Sequence, residues 1–173
     1  MKGSVMSNLK EIFVKTDICT GCNTCKIACA VEHSQSKNLF AAIHQTPRPR
    51  SRVYVEWLPK NTKVPVLCRH CEDAPCVNAC ISGAISRSDL GSVITNNDKC
   101  IGCWTCVMVC PYGVIGRDKT LAKAYRCDRC PDLAVPACVT SCPTNALVYD
   151  TVDNFSKDKR KAASKELVTK EGA

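Results

Sequence analysis

Sixteen cysteines in a chain of 173 residues fall into four groups of four, and none is left over. The first and third groups share the spacing C-x2-C-x2-C-x3-C. The second and fourth keep the opening C-x2-C and the closing x3-C but widen the middle gap to four and seven residues. In sequence order the cysteines are Cys19, Cys22, Cys25 and Cys29; Cys68, Cys71, Cys76 and Cys80; Cys100, Cys103, Cys106 and Cys110; and Cys127, Cys130, Cys138 and Cys142.

The spacing of the first and third groups is typical of thiolates around a cubane iron–sulfur cluster. Two residues between cysteines allow a tight loop to direct three sulfurs at one face of a cube. The bacterial C-x2-C-x2-C-x3-C run, which ends in proline, holds [4Fe–4S] clusters in this way. The third group continues into Pro111 as that run does. Since each cube takes four thiolates, the sixteen cysteines predict four [4Fe–4S] clusters.

The last cysteine of the repeated run is predicted to serve a different cluster from the other three. It follows after three residues, where we expect the start of a short helix, so its sulfur faces away from the first cube. In two-cluster ferredoxins this cysteine ligates the neighbouring cluster.

Other uses of cysteine fit the sequence less well. Residues 1–15 lack the continuous apolar segment of a secretory signal, and secreted disulfide scaffolds are usually shorter than this chain. Structural zinc usually takes two well-separated C-x2-C pairs, which the second and fourth groups could supply but the crowded first and third could not. Radical S-adenosylmethionine enzymes bind their cluster with a C-x3-C-x2-C loop. Each group here ends in C-x3-C, but none has the further cysteine three residues later that this loop requires. A zinc-binding interaction module is kept as the alternative from another functional class.

The net charge of the chain must be interpreted together with the charge of its predicted clusters. A formal charge of +8 ordinarily suggests a nucleic-acid partner. An oxidised cubane with four thiolates carries about −2, so four contribute about −8. The basic excess is then internal compensation, and no nucleic-acid binding is predicted. Only 5% of residues are aromatic, so an ordinary hydrophobic core would be thin. Cluster ligation can replace much of the missing stabilisation, and the cluster-free chain should be largely unfolded.

Short strands and helices are predicted between the cysteine groups. A strand at residues 12–14 precedes a helix at 24–32. A hairpin is expected within 47–67, with Pro65 marking an edge strand. Three further pieces are predicted: paired strands around residues 89–91, paired strands at 114–115 and 124–126, and a last strand at 146–149. The charged segment after residue 150 is expected to be either mobile or a solvent-facing helix, with docking onto a partner left open.

The four groups together resemble the four-cluster ferredoxin-like subunits of multi-subunit oxidoreductases, which serve molybdenum and tungsten enzymes, hydrogenases and carbon monoxide dehydrogenases. The resemblance covers residues 10–150 and fills all sixteen ligand positions. It implies that the first group pairs with the fourth and the second with the third. The implied ligand sets are Cys19, Cys22, Cys25 and Cys142; Cys29, Cys127, Cys130 and Cys138; Cys68, Cys71, Cys76 and Cys110; and Cys80, Cys100, Cys103 and Cys106.

The implied fold is α+β, with two nested bacterial-ferredoxin-like modules built of short strands and helices around four cubanes, plus a β-hairpin insertion. Residues 1–18 form an N-terminal segment with the first strand. The outer two-cluster module spans 19–67 and 111–150, with the hairpin near 47–67. The inner two-cluster module spans 68–110, and residues 151–173 form a charged tail.

A second resemblance concerns the partner. Residues 31–39 and 49–53 are similar to the small iron–sulfur subunits of tungsten aldehyde oxidoreductases and of carbon monoxide dehydrogenases. This implies a non-catalytic subunit that relays single electrons between a catalytic subunit of one of these types and a second redox partner, such as a flavoprotein. A freely diffusing polyferredoxin is the alternative within electron transfer. No catalytic residues are assigned to this chain.

Three side chains outside the ligands are candidates for tuning or conduction. His70, between Cys68 and Cys71, could donate a hydrogen bond to a cluster sulfur, but a packed or surface side chain is favoured. Trp57 and Trp104 could line an electron path, but core packing is favoured.

The protein is predicted to work without spanning a membrane. No apolar run approaches the roughly 18 residues that cross a bilayer. A cytoplasmic location is expected, because labile clusters are usually assembled in a reducing compartment, with export on a partner's signal as the alternative.

Overall fold

The computed structural model describes residues 9–171 as short elements joined by cysteine-bearing loops. The predictions for residues 1–8 and 172–173 lie outside the described part. The strands are β1 (Lys10–Val14), β2 (Tyr54–Leu58), β3 (Thr62–Val66), β4 (Ile85–Arg87), β5 (Val93–Thr95), β6 (Gly116–Asp118), β7 (Lys123–Tyr125) and β8 (Leu147–Thr151). The helices are α1 (Thr24–Glu32), α2 (Leu39–Ile43), α3 (Pro75–Asn78), α4 (Thr105–Val109), α5 (Ala137–Thr140) and α6 (Val152–Glu171).

The eight strands form four separate antiparallel pairs. Three are hairpins between neighbours in sequence: β2 with β3, β4 with β5, and β6 with β7. The fourth pair joins β1 to β8, with Ile12 opposite Tyr149, and so connects the predicted N-terminal segment to the last strand of the predicted outer module. The architecture is therefore α+β, as predicted, and contains no sheet larger than two strands among residues 9–171.

Four of the helices form two contacting pairs, and each of these four carries cysteine. Helix α1 contacts α5, and α3 contacts α4. Cys25 and Cys29 lie on α1, Cys138 on α5, Cys76 on α3 and Cys106 on α4. These five thiols are buried, so the helix pairs bring sulfur rather than large apolar side chains to their contacts.

Two buried cores accompany the two helix pairs. The first contains Val53, Leu67, Val114 and Leu147 together with five of the cysteines. The second is formed mainly by Ala74, Ile85, Val93, Ile115 and Ala124, with Cys76 and Cys106. Because Ile115 and Ala124 lie outside residues 68–110, the second core extends beyond the predicted inner module. The division into outer and inner modules stays a prediction.

Most predicted elements are present, and one is displaced. Helix α1 spans the predicted residues, and the hairpins around residues 59–61 and 89–91 form as expected. The strand predicted at 114–115 instead begins at Gly116. Val114 and Ile115 are 2% and 4% exposed, because they point into the two cores before the ladder starts. Gly116 pairs with Tyr125, whose ring occupies the space that a side chain at residue 116 would need.

The charged C-terminal segment is helical, which agrees with the second of its two predicted forms. Helix α6 contacts β1 and β8 near its start, where Phe155 stacks on Phe13 with ring centroids 4.1 Å apart and planes 7° from parallel. Beyond this stack, the side chains of residues 157–168 are exposed. One aromatic contact therefore attaches a long, solvated helix to the cluster-binding body.

Between residues 9 and 171, no helix combines the length and the apolar character that a bilayer crossing requires.

Two glycines with positive φ provide a matched test of backbone crowding. Gly102 has φ +70, and a Cβ there would overlap the carbonyl oxygen of Ala122 in the β6–β7 turn. Gly113 has φ +62 and open space within 4 Å. We expect Gly113→Ala to cost about 1–2 kcal/mol through its left-handed backbone alone. Gly102→Ala should cost about 1–3 kcal/mol more, because the backbone must shift as well. Thermal unfolding of the anaerobic holoprotein measures the difference, and equal midpoints for the two variants would contradict the crowding.

Candidate metal centres

The first group of cysteines meets the last cysteine of the sequence. Cys19, Cys22, Cys25 and Cys142 line one cavity, together with Gly21 and Leu147. Burial, together with the charges of Cys142, Cys22 and Cys19, raises the pKa of the Cys25 thiol to about 11. The first site therefore gathers sulfurs from the two ends of the predicted outer module.

In the inner part of the chain, three cysteines of the third group likewise meet the last cysteine of another group. Cys80, Cys100, Cys103 and Cys106 line a second cavity. The pKa of Cys106 is raised by burial, followed by the charges of the other three thiols. We number this cavity the fourth site, because two further sites lie between it and the first.

The second site is the most deeply enclosed. Cys29, Cys127 and Cys138 are 3–5% exposed and Cys130 is 7% exposed. Burial, followed by the charges of Cys127, Cys29, Cys130 and Cys25, raises the pKa of Cys138 strongly. Burial likewise raises the pKa of Cys127 to about 12 and that of Cys130 to about 11. Cys25 lies in the same buried core as Cys29, Cys127 and Cys138, so the first and second sites are neighbours.

A guanidinium group bonds to two of the cysteines of the third site. Arg126 donates to the sulfurs of both Cys68 and Cys76. Cys71 and Cys110 pack against the core that contains Cys76. The charge of Cys68 also contributes to the raised pKa of Cys127, after burial and the charges of Cys29 and Asp128. The third site thus adjoins the second, since Cys68 lies in the first core with Cys29, Cys127 and Cys138. Its other three cysteines share the second core with Cys80, Cys100 and Cys106 of the fourth site.

The helices explain why one cysteine group reaches two sites. Helix α1 starts at Thr24, so Cys29 lies in its second half and not at its start, where the sequence interpretation placed it. Cys25 and Cys29 are one turn apart on this helix, which separates them by about 6 Å along its axis. Cys110 similarly caps the C-terminal end of α4, after Cys106. Two cysteines one turn apart can therefore face adjacent sites.

The donor sets fit cubane clusters. All sixteen cysteines are free thiols within the described residues, so none forms a disulfide bond. Buried thiols with raised pKa values, such as Cys25, Cys106 and Cys138, are poor places for uncompensated thiolates, whereas a cationic iron–sulfide core offsets their charge. The structure also leaves buried donors unpaired at His70 Nε2 and Arg126 Nε. When bound, such clusters supply reversible one-electron chemistry. The assignment of the sixteen cysteines as ligands in this crossed arrangement stays a prediction.

A polar network that the sequence did not indicate lies against the second site. Asp128 forms ion pairs with His33, at 3.1 Å, and with Arg52. His33 also donates from Nδ1 to the carbonyl oxygen of Cys29 at 2.7 Å. Burial alone would lower the pKa of His33, but the bonds with Asp128 and Cys29 outweigh it and raise the pKa to about 9. These partners keep the Asp128 pKa well below its usual range despite burial.

This network directs positive charge toward the sulfur of Cys29. The backbone N–H of Arg52 donates to Cys29 Sγ at 3.2 Å, and His33 Nδ1 lies 3.7 Å from the same sulfur. Asp128 also accepts the N–H of Cys130 at 3.0 Å, which anchors the fourth-group loop. His33 and Asp128 are 95 positions apart, and sequence spacing alone carries no signal for such a pair.

At the first and fourth sites, which are the two outermost, hydroxyl groups donate hydrogen bonds to cysteine sulfurs. Thr24 donates to Cys22 at 3.3 Å, and Thr105 donates to Cys103 at 3.5 Å. These bonds lower the pKa of each thiol. Cys22 and Cys103 are exposed cysteines, so the first and fourth sites meet solvent while the second is buried.

Each outermost site lies beside a tryptophan with a cation over its ring. Lys63 Nζ is 4.9 Å from the Trp57 ring centre, and the Arg117 guanidinium is 5.7 Å from that of Trp104. Trp57 is 62% exposed, so the favoured prediction of core packing is wrong for it. Trp104 packs against the second core, as favoured. His70 is 5% exposed and is therefore packed, though one of its ring nitrogens has no partner.

Iron–sulfur proteins of known sequence are similar to this chain. A family model described as a 4Fe-4S dicluster domain matches residues 60–152, and a 4Fe-4S binding domain matches residues 16–32. The electron transport protein HydN of Escherichia coli K12 is 37% identical over 164 residues, covering 83% of this chain and 90% of that protein. An iron-sulfur protein of Rhodospirillum rubrum is 37% identical over 181 residues, covering 94% of each protein. The B subunit of the E. coli K12 anaerobic dimethyl sulfoxide reductase is 34% identical, covering 88% and 78%.

Among solved structures, the active-site complex BamBC of benzoyl coenzyme A reductase with benzoyl-CoA is 22% identical over 94% of this chain and 95% of its counterpart, with a TM-score of 0.45.

The thiol sites and the matches in sequence define an iron–sulfur electron-transfer protein with multiple [4Fe–4S] clusters, and sixteen cysteines provide for four. The protein belongs to the ferredoxin-like [4Fe–4S] electron-transfer subunit family. Iron–sulfur ligation thereby replaces the zinc alternative.

The crossed arrangement predicts which cluster each closing cysteine serves. Cys142→Ser should damage the cluster of Cys19, Cys22 and Cys25, because Cys142 lines their cavity. About four of about sixteen irons per polypeptide are then at risk. The matched variant Cys138→Ser should instead damage the cluster of Cys127 and Cys130. Iron analysis and low-temperature EPR of the reduced proteins distinguish the two. Loss confined to the Cys127 and Cys130 cluster in Cys142→Ser would contradict the crossing.

Proposed function

We propose that the protein holds four [4Fe–4S] clusters in a line and relays single electrons between two redox partners bound at its ends. The observation that carries this proposal is the contrast in exposure among the sites. Cys22 of the first site and Cys103 of the fourth are exposed, whereas the second-site cysteines are all buried. A relay needs accessible terminal clusters and insulated inner ones.

The order of the sites follows from their neighbours. The first adjoins the second because Cys25 shares a buried core with Cys127 and Cys138, and the second adjoins the third because Cys68 lies in that core as well. The third and fourth share a core. The protein's own residues hold the clusters in this spatial order and exclude water from the second site. They also present a partner-binding surface at the first site and another at the fourth.

Exposed apolar side chains support partner surfaces at both ends. Near the first site, Trp57 and Lys63 lie against Gly21, next to Cys22. Near the fourth, Ile101 is 62% exposed and Met108 is 76% exposed, on either side of Cys103 in the sequence. Exposed apolar groups that lie together on a soluble surface commonly mark protein contacts.

A catalytic oxidoreductase subunit is the proposed partner at one end. The similarity to the B subunit of a dimethyl sulfoxide reductase supports a subunit role. The putative oxidoreductase UacF of E. coli K12 is 42% identical over 141 residues that make up 21% of its own length. The related module is thus part of a much larger polypeptide there. From residues 31–39 and 49–53, we favour a tungsten aldehyde oxidoreductase or carbon monoxide dehydrogenase type, with a flavoprotein at the other end.

The relay is proposed to work in the cytoplasm. Sixteen free thiols support a reducing compartment, since disulfides persist in oxidising ones.

Isolation of the intact complex from source cells under anaerobic conditions tests the proposal. We expect the protein to elute with a larger catalytic subunit, and the substrate of that subunit should bleach the brown cluster absorbance. Elution alone, near 18.9 kDa plus clusters, would favour a freely diffusing carrier. Co-elution with a hydrogenase or nitrite reductase would overturn the narrower choice of partner while leaving the relay intact.

End-surface variants locate the transfer. Met108→Ser should slow electron transfer to one partner several-fold, because it removes an exposed apolar contact beside the fourth site. The control Leu90→Ser changes an equally apolar, 65% exposed side chain on the β4–β5 turn, near Leu9 and Tyr149, and should leave the rate unchanged. Equal rates for Met108→Ser and the wild type at both partners would argue against the fourth-site surface.

A further inference from the structure

Arg126 holds two sulfurs of the third site at once. It is 4% exposed and follows strand β7, immediately before Cys127. Its Nη1 donates to Cys76 Sγ at 3.2 Å, and its Nη2 donates to Cys68 Sγ at 3.1 Å. A guanidinium group stays charged under all ordinary conditions and presents its donors in a rigid fork. The third site therefore contains a fixed positive charge in a buried setting.

His70 offers a second donor in the same region. Its Nδ1 accepts the backbone N–H of Val93 at 2.9 Å. A backbone amide can only donate, so Nδ1 carries no proton and the ring proton lies on Nε2. This Nε2–H is buried without a protein acceptor, and so is the Nε–H of Arg126. Buried donors are rarely left unpaired in native proteins.

The backbone of His70 faces the third site too. Its N–H lies 3.4 Å from Cys68 Sγ, to which it donates. Residue 70 has φ +47, a conformation that folds the loop between Cys68 and Cys71 around that sulfur. Arg87 fixes this loop from behind through the carbonyl oxygens of His70, Cys71 and Glu72. The unpaired Nε2–H therefore belongs to a loop that encloses the third site.

The other sites receive donors of other kinds. Within residues 9–171, the first and fourth sites have hydroxyl donors at Cys22 and Cys103. The second has the Arg52 backbone amide at Cys29, with His33 at 3.7 Å. A guanidinium bonded to two cysteine sulfurs occurs, in this described part, at the third site alone.

We propose that Arg126 and His70 make the third site's cluster the most easily reduced of the four. The proposal rests on the proposed relay and adds a preferred resting position for the electron within it. Reduction adds negative charge to the cluster, and hydrogen bonds to its sulfurs stabilise that charge. A charged fork on two ligands and a neutral donor from the enclosing loop act in the same direction.

An anaerobic potentiometric titration followed by EPR tests the pair. In Arg126→Met, one cluster should become harder to reduce by about tenfold in its reduced-to-oxidised ratio, equivalent to about 59 mV. That cluster should be the one with the highest midpoint potential in the wild type. Arg126→Lys, which keeps the charge and loses the fork, should give a smaller shift. The matched control Arg160→Met removes an exposed arginine on α6 and should shift no cluster.

His70 has a variant that removes the free donor selectively. In His70→Asn, the amide oxygen replaces Nδ1 as acceptor for Val93, and asparagine tolerates positive φ. The same signal should move in the same direction as in Arg126→Met. In His70→Gln the amide nitrogen reaches the Nε2 position, so the midpoint potential of that cluster should return to its wild-type value. Iron analysis of each variant shows whether the clusters are retained. If Arg126→Met loses iron, the midpoint shift in His70→Asn alone tests the proposal.

The proposal is overturned if Arg126→Met and His70→Asn leave every midpoint unchanged, or if they shift a cluster other than the first to be reduced. Either result leaves the relay itself standing, because the relay depends on the number and order of the clusters and not on which has the highest potential.

Discussion

The structure depends on thiols one helical turn apart that face different sites. Cys25 and Cys29 on α1 illustrate the arrangement, since the first lines a cavity with Cys142 while the second lies with Cys127 and Cys138. Neither site can form from one cysteine group alone, so each requires the distant segment that completes the other. Cluster binding and the association of α1 with α5 are therefore parts of one folding event. The remaining elements, four two-stranded pairs, are too small to be stable without it.

Charge is distributed to match this arrangement. The two inner sites have charged groups beside their sulfurs, which are Arg126 at the third site and the His33–Asp128–Arg52 network at the second. The outermost sites, which meet solvent, use threonine hydroxyls instead. The formal charge of +8 thus includes Arg126, whose guanidinium contacts two sulfurs, while many other basic residues lie on the exposed helix α6. The gradient from charged donors inside to neutral donors outside parallels the exposure of the sites.

Much of this could be predicted from the sequence, and the failures have physical causes. Cysteine spacing is a local property, and it led to the cofactor, the α+β class and helix α1. Hairpins followed from local alternation and turn residues, though β6 begins two residues late because Val114 and Ile115 are drawn into the cores. Arg126 bonds sulfurs 50 and 58 positions away, and His33 pairs with a residue 95 positions away. Such contacts exist only once the fold has brought the loops together, so no spacing rule indicates them.

The central claim is that four cubanes occupy these thiol sites, and the most direct test is the metal and sulfide content of anaerobically prepared protein. Four occupied sites require about sixteen irons and about sixteen acid-labile sulfides per polypeptide, four of each for every set of four cysteines. A value near eight irons, the absence of inorganic sulfide, or zinc in place of iron would contradict it.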